Sequence, residues 1–245
     1  MQDTLFGTYQ VSAWRVGGYG GAPMPVATIE KLAQKLPGLK LVNAYGSTET
    51  SSPSTIMPPA FTASHSDSVG LPCPGADIIV VDSSGRELPR GEIGEIWIHG
   101  GSVIKGYWNN PRATAESFTA GYWHSGDLGS IDKENFVRVF DRQKDMINRG
   151  GLKIYSAEVE SVLASHPDVV ESAIVARPCP VLGERVHAVV VVRSNIDQPT
   201  LRAWCAERLS DYKVPETIAI GTDPLPRNAN GKVMKKNLRD ALVES

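Results

Sequence analysis

Apolar positions along this chain follow two different spacings, and the change between them divides it. From Ala27 to Leu36 the apolar residues Ile29, Leu32, Ala33 and Leu36 recur every three or four places, the period of one helix face. Short apolar runs, Trp14 to Val16 and Leu39 to Val42, flank this stretch and read as buried strands. Strand, helix, strand predicts a unit of an α/β layer within residues 1–69, which end in a Pro-, Ser- and Thr-rich loop from Met57 to Ser68. Over residues 70–141 the period falls to two. Ile78 to Asp82, Gly94 to His99 and Phe136 to Phe140 read as strands, parted by turns such as Ser83-Ser84-Gly85 and Pro89-Arg90-Gly91. Short strands at this spacing predict a small barrel or a distorted sheet.

Residues 145–245 mix both periods and read as a compact α+β unit. Ser156 is placed to cap a helix with Glu158 and Glu160 in its first turn and Val159, Val162 and Leu163 inward. Strands follow at Glu171 to Ala176 and Val186 to Val192. A helix from Thr200 to Leu209 comes after Pro199, then a strand from Thr217 to Ile220 and a last helix from Lys235 to Val243. The polar bridge 142–144 is the expected boundary between 1–141 and 145–245.

Composition narrows the classes. A formal net charge of −2 with scattered basic residues carries no nucleic-acid footprint and no membrane-surface patch. No apolar run nears the roughly 20 residues of a membrane span, so no transmembrane segment is expected. Met1-Gln2-Asp3-Thr4 lacks the positive start of a signal peptide. Cys73, Cys179 and Cys205 form no C-x-x-C and no closed disulfide set, which points to reduced thiols and a cytoplasmic protein. Cys179, between two prolines, reads as a loop thiol.

Three segments carry candidate chemistry. In Asn43-Ala44-Tyr45-Gly46-Ser47-Thr48-Glu49-Thr50, the Tyr can stack on a base and the Gly admits a ligand to the backbone. Thr48 and Glu49 offer a hydroxyl and a hard oxygen donor for Mg²⁺. In Tyr122-Trp123-His124-Ser125-Gly126-Asp127-Leu128, an Asp after a Gly turn can accept two ribose hydroxyls. His124 reads as structural. Lys232 ends the turn-rich run Pro226-Arg227-Asn228-Ala229-Asn230-Gly231 as one positive charge on a loop. Each segment alone also has a bland reading, as a polar turn, a self-capping Asp or a solvated lysine.

Taken in order, the segments make the chain resemble the adenylate-forming, AMP-binding enzymes of the acyl-CoA synthetase type. The matching pieces are Gly20-Gly21-Ala22-Pro23-Met24-Pro25, Tyr45-Gly46-Ser47-Thr48-Glu49, Gly91-Glu92-Ile93-Gly94-Glu95 with Gly106-Tyr107, Ser125-Gly126-Asp127, Asp141-Arg142-Gln143-Lys144-Asp145 and Asn230-Gly231-Lys232. The resemblance implies that Gly21, Ala22, Pro23 and Tyr45, with Gly46, line the adenine of ATP or AMP. Thr48 would touch phosphate, and Glu49 would hold Mg²⁺. Asp127 would bind the ribose with help from Arg142, and Lys144 would be the hinge of a mobile lid, 145–245. Gly150 and Gly151 would line the path of coenzyme A, and Lys232 would reach the acyl carboxylate and the α-phosphate. The implied fold is the remnant of a large α/β domain (1–69) with a distorted β-barrel piece (70–141), then the α+β lid.

The family also has a Ser/Thr/Gly-rich loop ending in Lys that cradles the β- and γ-phosphates. Gly17-Gly18-Tyr19-Gly20-Gly21 lacks its Lys-Ser/Thr. The chain therefore reads as the C-terminal half of an ATP-dependent carboxylate–CoA ligase, inactive alone. Its uncovered surface would drive self-association. A medium- or long-chain fatty acid is the expected substrate, with an aryl acid next. A peptide-synthetase adenylation domain and a luciferase-like oxygenase fit less well. A non-catalytic module that binds nucleotide or CoA is the reading from another class.

Overall fold

The structure is a computed structural model. It describes residues 10–21, 24, 26–229 and 231–243, with the backbone alone at 26, 27 and 243. Ala22, Pro23 and Asn230 lie outside the described residues.

The first sheet opens with a βαβ unit. Strand β1 (Val16–Gly20) and β2 (Lys40–Tyr45) are parallel, joined by helix α1 (Val26–Lys35). Ile29 and Leu32 of α1 and Leu41 of β2 form its small core, as the helical spacing requires. Here the expectation of a strand over Trp14 to Val16 is corrected. The strand begins at Val16 and runs through the glycines, and Trp14 stays 42% exposed. Close packing explains one of these glycines, because a Cβ on Gly20 would overlap the Ala44 carbonyl of the paired strand. The short strands β3 (Thr55–Ile56) and β4 (Leu71–Pro72) continue this sheet in the order β1-β2-β3-β4.

The period-two region forms a second sheet. Strand β5 (Ala76–Val81) pairs antiparallel with β6 (Gly94–Gly100), then β6 with β8 (Tyr122–Ile131). Strand β8 also takes β7 (Phe118–Thr119) and β9 (Val137–Arg142). Helix α2 (Pro111–Ser117) is capped by Asn110, which accepts from the Ala113 amide at 3.1 Å. One ten-residue strand with three partners is a distorted sheet, and alternation of buried and part-exposed residues along β8 sets its faces. Gly70 is fixed by two constraints. Its φ is +101°, and a Cβ there would overlap the Ile56 carbonyl. Replacing Gly70 by Ala should lower stability by about 2 kcal/mol or more, combining backbone strain with overpacking. Urea unfolding followed by tryptophan fluorescence reads this, and an unchanged midpoint would refute it.

The third sheet has the order β11-β10-β13-β12, with β14 on the other side of β13. Its strands are β10 (Ile147–Arg149), β11 (Leu152–Ile154), β12 (Val169–Cys179), β13 (Gly183–Val192) and β14 (Thr217–Gly221). Helices α3 (Ser156–Ala164) and α4 (Gln198–Ala206) supply Val159, Leu163, Leu201 and Cys205 to one core. They meet Val186, Ala188, Val190 and Val192 of β13 and Ile174 of β12 there. The opposite face of the sheet presents Ala173 and Val191, covered by Leu225 with Val189, Val233 and Leu238. That explains why Val189 to Val192 reads as a continuous apolar run: both of its faces are covered. The last helix, α5 (Lys235–Val243), starts where its pattern predicts.

Residues cluster into two compact units, one of 1–125 with 130–138 and one of 126–129 with 139–245. Strands β8 and β9 each contribute residues to both. No helix among the described residues is long and apolar enough to cross a membrane.

Candidate functional site

The sequence-predicted residues fall into one set per unit. In the first unit, Tyr45 ends β2, and Gly46 and Ser47 lead into a single 3₁₀ turn, Thr48–Thr50. The turn is locked by reciprocal bonds. The Ser47 amide donates to Thr50 Oγ1 at 3.1 Å, and that hydroxyl donates to the Ser47 carbonyl at 3.2 Å. A Cβ on Gly46 would lie 2.9 Å from the Ser54 amide nitrogen, so the segment folding over Gly46 is the chain itself. Thr48 is exposed on this turn. Glu49 is held from two directions. Its carbonyl accepts from the Ile104 amide at 2.8 Å, and its Oε1 accepts from Tyr107 Oη at 3.0 Å. Trp123 Nε1 reaches that same Tyr107 oxygen at 3.4 Å. Tyr107 and Trp123 lay inside quoted motifs, yet nothing in their spacing showed that they would orient Glu49. Gly21, after β1, has φ +76°.

In the second unit the Gly126-Asp127 segment differs from its expected form. It is not a free turn but part of strand β8. Gly126 has φ +68°, and its carbonyl accepts from the Gln143 amide at 2.8 Å. Asp127 is buried and pairs with Arg142, Nε to Oδ1 at 2.7 Å. Neighbouring strands β8 and β9 hold the two residues together. His124, by contrast, stacks on Trp97 with ring centroids 4.0 Å apart, and burial lowers its pKa, which fits a structural role.

Lys232 lies on a tight loop bridged at Arg227 and Val233. Its amide donates to Asn228 Oδ1 at 2.9 Å, and its carbonyl accepts from the Asn228 amide at 3.0 Å. Glu171 clamps the base of the loop by accepting from the Leu225 amide at 2.8 Å and from Arg227, whose other arm donates to the Gly231 carbonyl at 2.6 Å. The side chain of Lys232 is solvent-accessible, yet surrounding protein crowds its ammonium. That desolvation, followed by the positive charge of Arg142, lowers its pKa, while Asp127 and Asp145 pull the other way. Lys232 therefore shares the electrostatic environment of the Asp127–Arg142 pair, although 105 residues separate Lys232 from Asp127.

Lys144 is exposed, in a turn where the Asp145 and Met146 amides donate to the Arg142 carbonyl at 2.9 and 3.0 Å. Gly150 and Gly151 have φ +59° and +90° and form the two-residue turn of the β10–β11 hairpin. A turn positive in φ at both places strongly favours glycine, so their presence follows from the hairpin alone. The Gly150 amide donates to the Leu182 carbonyl at 2.8 Å.

Ser156 corrects another expectation. It is the first residue of α3, and the cap position falls to Tyr155, which makes no side-chain cap bond. The Ser156 amide donates to Asp141 Oδ2 at 2.5 Å instead. Burial raises the pKa of Asp141, and burial also raises that of Glu160, which is closely packed although 24% of its side-chain surface remains. A carboxyl raised on folding adds stability below its unfolded pKa, about 4, and loses it as pH rises through the folded value. Asp141→Asn should thus flatten the stability profile between about pH 4 and 7. Urea midpoints at those two pH values test this, and an unaltered slope would count against it.

For Mg²⁺, Glu49 offers a hard oxygen donor, and Mg²⁺ habitually takes one or two carboxylates with phosphate oxygens and water. Among the described residues, the one cluster of three metal-capable side chains is elsewhere, at His65, Asp132 and Glu134. One carboxylate therefore fits a magnesium bound mainly through nucleotide phosphates.

The model of the AMP-binding enzyme family matches residues 2–108, and that of the AMP-binding enzyme C-terminal domain matches 158–232. A feruloyl-CoA synthase from Amycolatopsis is 40% identical over 222 residues, which is 90% of this chain and 45% of that protein. A long-chain-fatty-acid–CoA ligase from Escherichia coli is 36% identical over 241 residues, 98% of this chain and 42% of the ligase. The o-succinylbenzoate CoA synthetase of Bacillus subtilis, solved with its acyl-adenylate intermediate, superposes with a TM-score of 0.88 at 35% identity. The match covers 97% of this chain and 49% of that one. The same protein has been solved with ATP and a magnesium ion. The chain spans less than half the length of the curated relatives it matches. Both family models and the structural match point to one group, and the chain belongs to the adenylate-forming, AMP-binding enzyme family, of the acyl-CoA synthetase type.

Proposed function

We propose that this chain is part of an ATP-dependent carboxylate–CoA ligase, which forms an acyl adenylate and then passes the acyl group to the thiol of CoA. The observation that best supports this reading is the shared environment of Lys232 and the buried Asp127–Arg142 pair. In it Asp127 accepts the ribose hydroxyls, and Arg142 orients Asp127 through its ion pair. The role that the family resemblance gives Tyr45, Gly46, Gly21, Ala22 and Pro23 is to line the adenine. Lys232 neutralises charge that develops as a carboxylate oxygen attacks the α-phosphate and pyrophosphate departs. Such fixed cations act strongly where water is excluded. Glu49, steadied by Tyr107, would hold Mg²⁺, which supplies further positive charge to the phosphates. Thr48 donates to phosphate from the adjacent turn. Lys144 is the hinge, and Gly150-Gly151 borders the CoA thiol's approach in the second step. The reactants are ATP and CoA, both plentiful in the cytoplasm, where three unpaired thiols also persist.

The acid is a hydrophobic carboxylate. Relatives named for ferulate and for long-chain fatty acids match at 40% and 36% identity, so the fatty-acid expectation and an aryl acid are the two arms of one test. Competing ferulate against palmitate in a thioester assay of the enzyme, completed with a phosphate-loop half, separates them. The 245 residues contain no Ser/Thr/Gly-Lys loop for the β- and γ-phosphates. We expect no ATP–pyrophosphate exchange above background from this chain alone. Robust exchange by the purified chain would overturn that expectation.

A further inference from the structure

The segment 141–145 is held from both ends by groups that the proposed reaction does not use. Upstream, Asp141 Oδ1 accepts from the Arg142 amide at 2.8 Å while Oδ2 takes the Ser156 amide at the start of α3. Downstream, Asp145 Oδ1 accepts from Arg239 NH1 at 2.8 Å, and the same nitrogen reaches the Lys144 carbonyl at 3.4 Å. Arg239 lies on α5, one helical turn after Lys235 and on the same face. Lys235 is also engaged: its Nζ donates to Ser156 Oγ at 2.5 Å and pairs with Glu160 Oε1 at 2.7 Å. The loop of Lys232 runs directly into this helix, so Lys232, Lys235 and Arg239 belong to one short rigid piece of chain.

We infer that Arg239 is a positioning residue, a latch that ties the helix behind the Lys232 loop to the backbone at Lys144–Asp145, so that turning at 142–144 and displacement of Lys232 become one event. Three features carry this. The acceptors of Arg239 are the carbonyl of Lys144 itself and the side chain of the next residue. The side chains of Asp145 and Arg239 keep only 13% and 27% of their surface, so water competes poorly for the bond. Lys235, with Glu160 and Ser156, fixes the near end of α5 independently. Loss of Arg239 therefore frees the hinge contact without unseating the helix. In the cluster at His65, Asp132 and Glu134, Asp132 is already bonded to Arg138 and to the Glu134 and Phe136 amides.

The inference rests on the reading of 142–144 as a hinge, but its test needs no turnover. Amide hydrogen exchange is measured on the 245-residue chain with wild-type sequence, Arg239→Ala and Arg239→Lys. In parallel, the rate at which an amine-reactive acylating reagent modifies Lys232 is followed against pH by mass spectrometry. For Arg239→Ala, exchange should rise about tenfold over 142–146 and over 228–234, and stay unchanged in β12 and β13. The pH midpoint for Lys232 modification should move upward, because the crowding that lowers its pKa is relaxed. Arg239→Lys, which keeps a cation for Asp145, should restore much of both. Exchange that rises evenly across the unit, or a Lys232 midpoint that does not move, would overturn the latch. Absence of ATP and CoA binding by the enzyme completed with a phosphate-loop half would sink the ligase reading and leave this result standing.

Discussion

Replacing Lys232 by Ala in the completed enzyme should lower ATP–pyrophosphate exchange by about 10²- to 10³-fold. That loss is typical when one preorganised charge-stabilising donor is removed from a water-excluded site. The expectation depends on where Lys232 sits. A lysine on a mobile loop with no charged groups near it would contribute little, since its attraction to an anion would be screened. This one is crowded enough to have its pKa lowered, and it senses Asp127 and Arg142. Its loop is clamped through Glu171 and Arg227 and packed by Val233 against the sheet. The effect should fall on kcat for adenylation rather than on the KM for ATP, because the cation is needed most as charge develops. Thioester formation from a supplied acyl adenylate should stay within a fewfold of wild type. A variant that keeps full exchange activity, or loses both half-reactions equally, would show that Lys232 does not play this part.

Leu163→Ala should destabilise the second unit by about 2–5 kcal/mol, the range for deleting a fully buried leucine side chain. Leu163 has no exposed surface and belongs to the core in which α3 and α4 meet β13. Trp204, whose Nε1 donates to the Val162 carbonyl at 3.1 Å, closes α4 over α3 and leaves little freedom to collapse into the cavity. For a unit of this size, each kcal/mol corresponds to roughly 4–8 °C in Tm. Hydrogen exchange in β13 separates this unit from the other and should rise in step with the lost stability. A loss under about 1 kcal/mol would mean that the helix–sheet core is not what holds the unit together.

These effects also mark how far the chain could be read beforehand. Period-3.6 patterns found α1 and α3, and apolar runs found β12 and β13, because burial of one face or of both leaves a local trace. Strand β1 was shifted by two residues because it runs through glycines, of which Gly20 is required by a neighbouring backbone and not by a turn. Ser156 carried the composition of a cap, yet its amide is met by Asp141 from fifteen residues upstream. Gly150-Gly151 entered only through the family resemblance, and the structure shows them as the turn of the β10–β11 hairpin.

The sequence by itself determined the order of the motifs, the alternation of strands and helices, and one lysine set among turn formers. Each of these is encoded in neighbouring residues through φ preference or hydrophobic period. Only the tertiary structure decided that Asp127 pairs with Arg142 and that Tyr107 steadies Glu49. It also decided that Lys232 feels a charge pair a hundred residues away and that Arg239 grips the backbone beside Lys144. Those contacts join residues distant in sequence, and their strength comes from the water excluded around them, which no local pattern records.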